Sequence, residues 1–581
     1  MRATSRLAGP LLLYGVVVCW LTWPLAANMR THLPVTGLAS IFDPLYTAWV
    51  LAWETHALGS ANATLLAANI YHPTPHALLY GPPAFGALPY FAAVFGPTGN
   101  PALALNVLFL GSAVLAASFL HIVTRNWTGS ATAGLVAGCT FLASRWLFWS
   151  FAVTAPQLAV VFYLPLIVDR AARPLQGRGM FELFLLVLAQ GLADLVYLAP
   201  AAMLPLLVIA GARLVRGRTR AEGLRLLGAV GLAGVVLAAV HWPWLALART
   251  VPDLSRQTPW LFAGHAALDL PWGPLGWLSP VAVPTVGLAV VALAAVKALV
   301  RRWRGASAAS DRLWKHAALW TIVGTAISLP LQVRWNGAVL VLPHVALAQS
   351  CFPYLSFIRM PQRLGVSGLV GLALLAGLGF EELASGAATA ARLVPAGLLR
   401  GVFAIALVLG MYLQYTRGIG EPVAYGSPLP HAYPLHAAVR GDSTVLRVLR
   451  TSGGPTLELP FMFSGLGAIN QQAVAMYRSI FHWQPLLNGY ASYWPRDFPE
   501  LMALAHRLPD PQALQELRSR TGLRFILIRL AEEVPKDADQ AAARSLWRGI
   551  AARRDRSDLE LVAADDDLML FRVTERPAAS P

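Results

Sequence analysis

Long apolar runs alternate along this chain with short polar or basic connections. Runs near 10–29, 101–123, 130–149, 155–169, 181–197, 199–213, 224–246, 276–299, 316–332, 363–385 and 395–415 carry few or no charges. At about 1.5 Å per helical residue, a run of roughly 20 residues crosses a hydrocarbon core about 30 Å thick. The pattern predicts an all-α polytopic membrane domain of about eleven transmembrane helices. The stretch 83–97 is short and broken by prolines, which predicts an interfacial or re-entrant helix; should it cross, the topology shifts by one span. After residue 420 the pattern changes. TLELP (456–460), RFILIRL (524–530), LELVA and LMLFRV read as strands, and 436–451, 499–507 and 511–521 as helices. The expected organisation is a membrane domain over 1–420, with a first external loop at 30–100, followed by an extracytoplasmic α/β domain over 421–581.

Composition excludes a soluble globular class: 56% of the 581 residues are hydrophobic, 13% are charged, and the mean hydropathy is +0.55. The first run is long, contains Trp20 and Trp23 and precedes many further runs, so it reads as a span rather than a cleaved signal peptide. The net charge of +16 would suit a nucleic-acid partner if it were concentrated in the polar domain. From Glu421 onward, however, 18 basic residues meet 18 acidic ones, and the excess lies in the membrane part. No nucleic-acid partner is expected. The basic residues have a topological meaning instead: with the N-terminus inside, the clusters Arg170/Arg173/Arg178, Arg213/Arg216/Arg218/Arg220/Arg225 and Lys297/Arg301/Arg302/Arg304/Arg312/Lys315 all lie in the cytoplasm. An odd number of spans then places 30–100, 247–275, 333–362 and the C-terminal domain outside.

Three cysteines, in or beside apolar runs, do not make a disulfide framework or a thiolate metal site. His72 and His76 are separated by prolines and cannot present the i, i+4 face of a zinc helix. No glycine-rich phosphate loop, nucleophile elbow or HExxH pattern occurs.

The acids are more informative. Asp43 lies in IFDPLYTAWVLAW, just past the first run, where an acid at the outer surface asks for a chemical reason. One answer is an N-cap on a helix from Pro44 to His56, with proline at its first position. Glu54 follows by eleven residues, about three turns, so both acids fall on one helix face; a solvated surface acid is the plain alternative for Glu54. Asp194, in AQGLADLVYLAP, sits within an apolar run and needs a cavity or a partner such as a buried arginine. In the outer domain, FHWQPLLNGYASYWP is dense in aromatic residues. His482, Trp483, Asn488 and Tyr490 are candidate sugar or acceptor contacts there, with internal packing as the alternative.

The first loop, with its acid and the strings DPLYTAWVLAW and ANIYHPTP, resembles the GT-C superfamily of integral-membrane glycosyltransferases. LPHVALAQSCFPYLSFIRMPQRLGVSGLVGLALLAGLGF and HWQPLLNGY look like a bacterial branch of that superfamily, and the likeness covers almost the whole chain. The resemblance implies transfer of a sugar from a polyprenyl-phosphate donor to a glycan, glycolipid or protein acceptor outside the bacterial cytoplasmic membrane, with inversion. It implies Asp43 as the base; read from the residues alone, Asp194, lining the same cavity, and Glu54 are the candidates for a second acid. The superfamily's second acid has no evident match in a later external loop. In the pattern Arg359-x-Pro361-x-Arg363 a guanidinium pair would stabilise the departing lipid phosphate, with Arg334 as a third member; ordinary headgroup contact is the alternative. No cofactor is assigned, and a divalent cation stays open because paired acids to hold it are not evident. A transporter or flippase of a lipid-linked or envelope precursor, and a non-catalytic membrane scaffold, are the other classes these features allow.

Overall fold

A computed structural model describes residues 2–35, 41–61, 63–144, 146–150, 152–250, 267–269, 285–303, 311–329, 332–335, 338–341, 361–390, 395–417, 433–462, 465–530, 538–553 and 556–574. The chain is mostly helical and packs as two units. The first comprises Met1–Ala27, Phe85–Ala87 and Val107–Tyr433, and the second Asn28–Ala84, Leu88–Asn106 and Pro434–Pro581. Strands are numbered β1 (His32–Pro34), β2 (Ala267–Asp269), β3 (Gln332–Trp335), β4 (Ala338–Val341), β5 (Leu435–Ala437), β6 (Thr456–Leu459), β7 (Phe525–Arg529), β8 (Leu559–Ala564) and β9 (Leu568–Val573).

Five helices among the described residues are long and apolar enough to cross a membrane: Pro101–Thr128, Ala131–Trp149, Leu198–Val215, Arg220–Val240 and Gln362–Ser385. With the composition, they make the chain a multi-pass membrane protein. In the first unit the Val366–Ala390 helix is central, packing on the helices Ala131–Leu142, Thr285–Trp303 and Asp311–Ile327. A Cβ on Gly324 would come within 2.1 Å of the Gly368 backbone nitrogen, so the two helices touch backbone to backbone, as small residues allow in lipid.

Proline position explains where the helices depart from the apolar runs. The run 10–29 forms a helix over Arg2–Leu21 and then turns, because a residue before proline, here Trp23 before Pro24, is pushed out of the α region. The run 155–169 is not one helix: a 3-10 turn at Pro156–Ala159 gives way to Tyr163–Ala172, which places Pro165 in a first turn where a missing N–H costs little. The runs 276–299 and 395–415 overlap the shorter apolar helices Val286–Val300 and Gly397–Leu413. The runs 181–197 and 316–332 are helices at Arg178–Ala193 and Asp311–Ile327.

The basic residues gather at one place within this unit. Arg213 donates to Ala171 O (2.6 Å), Arg312 to Ala172 O (3.3 Å) and Arg225 to Leu175 O (3.3 Å). Arg213 and Arg312 satisfy the last carbonyls of the Tyr163–Ala172 helix and complement its negative end, and Arg225 holds the turn that follows. β2, β3 and β4 form a separate small sheet.

In the second unit β6 and β7 are parallel, β9 runs antiparallel beside β7, and β8 forms the edge. β7 is buried along its whole length, which accounts for its unbroken apolar FILI. The Thr444–Ser452 helix, capped by Ser443 on Leu446 N, lays Val445, Leu446 and Leu449 on Phe525, Leu527, Leu568 and Leu570. β1 and β5 pair antiparallel. The Leu88–Thr98 helix, which overlaps the stretch 83–97, has 11 residues, roughly 16 Å at the α-helical rise, which is about half a hydrocarbon core.

Candidate functional site

Asp43 is not an N-cap. The helix that carries it, Phe42–Gly59, starts one residue earlier, with Ile41 at the cap position and Asp43 in the first turn. Pro44 remains among the first N–H positions, which have no intrahelical partner, so the earlier start costs no hydrogen bond. Asn470, on the Gly465–Arg478 helix packed alongside, accepts from Ile41 N (3.3 Å) and secures this end. An acid in the first turn also favours the positive end of the helix dipole.

The half-buried Asp43 carboxylate accepts a hydrogen bond from the Tyr490 hydroxyl at 2.9 Å. Burial, and then the neighbouring Asp43 charge, push the Tyr490 phenol well above its ordinary range. Its proton therefore stays in place and the phenol remains the donor. Phe42 and Tyr46 meet the Tyr490 ring edge-on at 5.2 and 6.1 Å and hold its orientation.

The string HWQPLLNGY brings Tyr490 to the acid. Residues 485–488 lie between β6 and the first loop: Thr456 N donates to Pro485 O, Leu486 N to Asn69 O and His72 N to Leu486 O. Asn488 clamps β6 through both ends of its amide, accepting from Glu458 N (2.7 Å) and donating to Glu458 O (3.1 Å). At Gly489 a Cβ would sit 2.4 Å from the Tyr71 ring, so only glycine lets the chain pass there. Of the four residues read as sugar contacts, His482 and Asn488 are buried at 1% exposure, with Nδ1 of His482 accepting from Gln484 N. Burial, and then the Arg478 charge, lower the His482 pKa to about 3, so the ring is neutral. Trp483 and Tyr490 are the two with surface exposed on this unit.

Glu54 is on the same helix but is not a solvated acid; its exposure is 0%. Oε1 accepts from Ala84 N (3.1 Å), while Oε2 is buried without a hydrogen-bond partner. Burial raises its pKa to about 8, against the lowering by the Ala84 N–H, so the carboxyl is predominantly protonated at neutral pH. Tyr46 donates to Pro82 O (3.1 Å), and together the two side chains pin 82–84 to the helix.

In the first unit, Asp194 ends the Arg178–Ala193 helix, and its Oδ1 accepts at 2.6 Å from the N–H of Tyr197, the residue at the cap position of the Leu198–Val215 helix. It is 4% exposed, and its charged partner is Arg363. The Arg363 guanidinium also lies 5.0 Å from the Tyr197 ring centre and 3.5 Å from Thr154 Oγ1. The sequence treats Asp194 and Arg363 separately; the fold makes them one group. Arg359 lies outside the described residues. Arg334 is on β3 opposite Val339, and its side chain lies outside the description.

No protein-family model and no curated protein matches this sequence. Among solved structures the chain is similar to ArnT from Cupriavidus metallidurans, at 15% identity and a TM-score of 0.45 over 97% of this chain and 98% of that one. It is similar to the oligosaccharyltransferase of Archaeoglobus fulgidus at 11% identity and a TM-score of 0.45, over 90% of this chain and 69% of that one. A third likeness is to the arabinofuranosyltransferase AftD from Mycobacteria: 14% identity, TM-score 0.46, 97% of this chain and 40% of AftD. At TM-scores below 0.5 these likenesses carry no conclusion about what this chain does.

Among the described residues no three His, Cys, Asp or Glu side chains gather as a metal site. In the second unit, then, the arrangement offers one half-exposed carboxylate with a fixed neutral donor, beside a buried, protonated acid on the same helix.

Proposed function

We propose that this chain is a membrane glycosyltransferase that moves a sugar from a polyprenyl-phosphate donor to an extracytoplasmic acceptor with inversion at the anomeric carbon. The observation that carries the reading is the Asp43 carboxylate, half-exposed on the first turn of its helix and oriented by the Tyr490 hydroxyl. In this mechanism Asp43 accepts the proton of the acceptor hydroxyl as its oxygen forms a bond to the anomeric carbon. The bond from that carbon to the lipid phosphate oxygen breaks on the opposite face, and the electron pair leaves with the polyprenyl phosphate. Tyr490 is a positioning residue: its hydroxyl fixes one oxygen of the Asp43 carboxylate and so sets the orientation of the base. Arg363, with Arg359 and Arg334, is proposed to favour the departing phosphate, and Asp194 to hold Arg363 in place. The orientation proposed is cytoplasmic for the N-terminus and extracytoplasmic for the C-terminal domain, in a bacterial inner membrane. The convergence of Arg213, Arg225 and Arg312 on residues 171–175 supports a single basic face for the first unit.

The test is transfer of labelled sugar from a panel of polyprenyl-phosphate donors to membrane extract by the full chain in nanodiscs. Transfer by the wild type and its loss in Asp43→Asn are expected. Absence of transfer by folded wild-type protein across the panel would move the reading to a transporter or scaffold.

A further inference from the structure

The second unit holds a cleft of about 220 Å³ that the transfer chemistry does not use. Trp53, from the helix of Asp43, and Trp483 and Pro485, from the aromatic string, form part of its wall; Asn69, His72 and Thr74 of the first loop supply the polar part, and alanine and isoleucine complete it. The two indoles are 6.0 Å apart at 57°. His56 stacks on Trp483 at 4.2 Å and 8°, covering one face and fixing the plane of the ring.

Three features of this cleft indicate a ligand rather than simple packing. Trp483 takes a left-handed backbone conformation with φ 57°, as does Tyr71, next to His72, at φ 57°. Bulky residues rarely adopt that region, and such strain persists where the surroundings hold a side chain in one particular place. Secondly, no side chain in the wall is charged at neutral pH: burial lowers the His72 pKa, and Nε2 of His72 lies 3.0 Å from Thr521 O, so it carries the proton and leaves Nδ1 as an acceptor. Thirdly, the wall pairs the half-buried Trp483 indole with neutral hydrogen-bonding groups, the His72 ring nitrogen and the Thr74 hydroxyl. A pyranose presents that combination in reverse, with an apolar C–H face and a rim of hydroxyls; an ionic group would be left uncompensated here.

We propose that the cleft bordered by Trp483, His72 and Thr74 is a binding site for an uncharged sugar ring. It deepens the proposed transfer by giving a glycan acceptor a place of its own, and rests on that reading only for the role of the bound sugar, not for the binding.

The experiment is saturation-transfer NMR on the full chain in nanodiscs, with the methyl pyranosides of glucose, mannose and galactose as neutral probes and the methyl glycoside of glucuronic acid as the charged one. At least one neutral glycoside should show saturation strongest on its ring C–H face. The signal should fall at least five-fold in Trp483→Ala and at least three-fold in Thr74→Val, which keeps the shape of the residue. If Trp483→Ala does not fold, Thr74→Val decides. No signal from any neutral glycoside, equal signals in the wild type and Thr74→Val, or a glucuronide signal at least as strong as the neutral ones overturns the proposal. Glycoside binding without sugar transfer would overturn the transferase reading alone; transfer without glycoside binding would overturn this inference alone.

Discussion

The two ends of the Phe42–Gly59 helix each carry an acid, and the acids differ in every respect that decides chemistry. Asp43 is half-exposed and held by a neutral phenol that donates to it. Glu54, eleven residues on and facing the same way, is sealed from solvent, bound to one backbone N–H and held protonated by burial. One helix face thus supplies a carboxylate able to accept a proton and a carboxylic acid that serves to fasten 82–84. Asp194 is a third case: buried, but answered by Arg363 and by the N–H of Tyr197. Environment, more than residue type or spacing, separates a candidate base from an anchor.

The largest expected effect comes from removing the proposed base. Asp43→Asn should lower transfer by about 10²–10⁴-fold, the usual weight of general-base catalysis, with donor binding retained. Gly489→Ala should come next: the new methyl meets the Tyr71 ring, displaces residue 490 and lowers transfer, together with a fall in thermal stability of roughly 1–3 kcal/mol from overpacking. Tyr490→Phe removes one hydrogen bond to a charged oxygen, about 1.5–3 kcal/mol in stability terms. Its predicted signature is a fall in kcat with little change in acceptor KM, since the phenol positions the base without touching substrate; an unchanged kcat would remove Tyr490 from the account.

Arg363→Gln separates two roles. If the arginine only compensates Asp194, the double change with Asp194→Asn should recover the stability that the single change loses. A donor KM that stays raised in the double variant would keep Arg363 on the lipid phosphate.

The smallest effect on turnover belongs to Glu54→Gln, which should leave transfer within a few-fold of wild type. Its effect on stability should instead depend on pH. A carboxyl raised in the folded state contributes stability that is fully present below its unfolded value near 4.5 and is lost as pH rises to about 8. Glutamine has no such dependence, so the thermal midpoint of the variant relative to wild type should climb between pH 5 and pH 8.5. A flat difference would show that Glu54 is ionised in the folded protein.

Much of this architecture could be read from pattern. The strands at 456–459, 525–529 and 568–573 follow from alternating or unbroken β-forming residues beside turn signals, and the apolar runs located the long helices. What escaped was set by contacts distant in the chain. The Gly465–Arg478 helix, GLGAINQQAVAMYR, opens with two glycines in three residues and carries Asn470, Gln471 and Gln472 in a row, which reads as a turn, yet it packs along the Asp43 helix. Tyr490 pairs with an acid 447 positions away, which no local signal reveals, and Asp194 met Arg363 only in the folded chain. The burial of Glu54 was hidden because a charge at helical spacing from a candidate base looks the same whether it faces solvent or a loop backbone.

The most direct measurement compares Asp43→Asn with Glu54→Gln in one nanodisc transfer assay, with both proteins shown to be folded. The account predicts a silent Asp43 variant and an active Glu54 variant. A silent Glu54→Gln beside an active Asp43→Asn would contradict it and move the base to the other end of the helix.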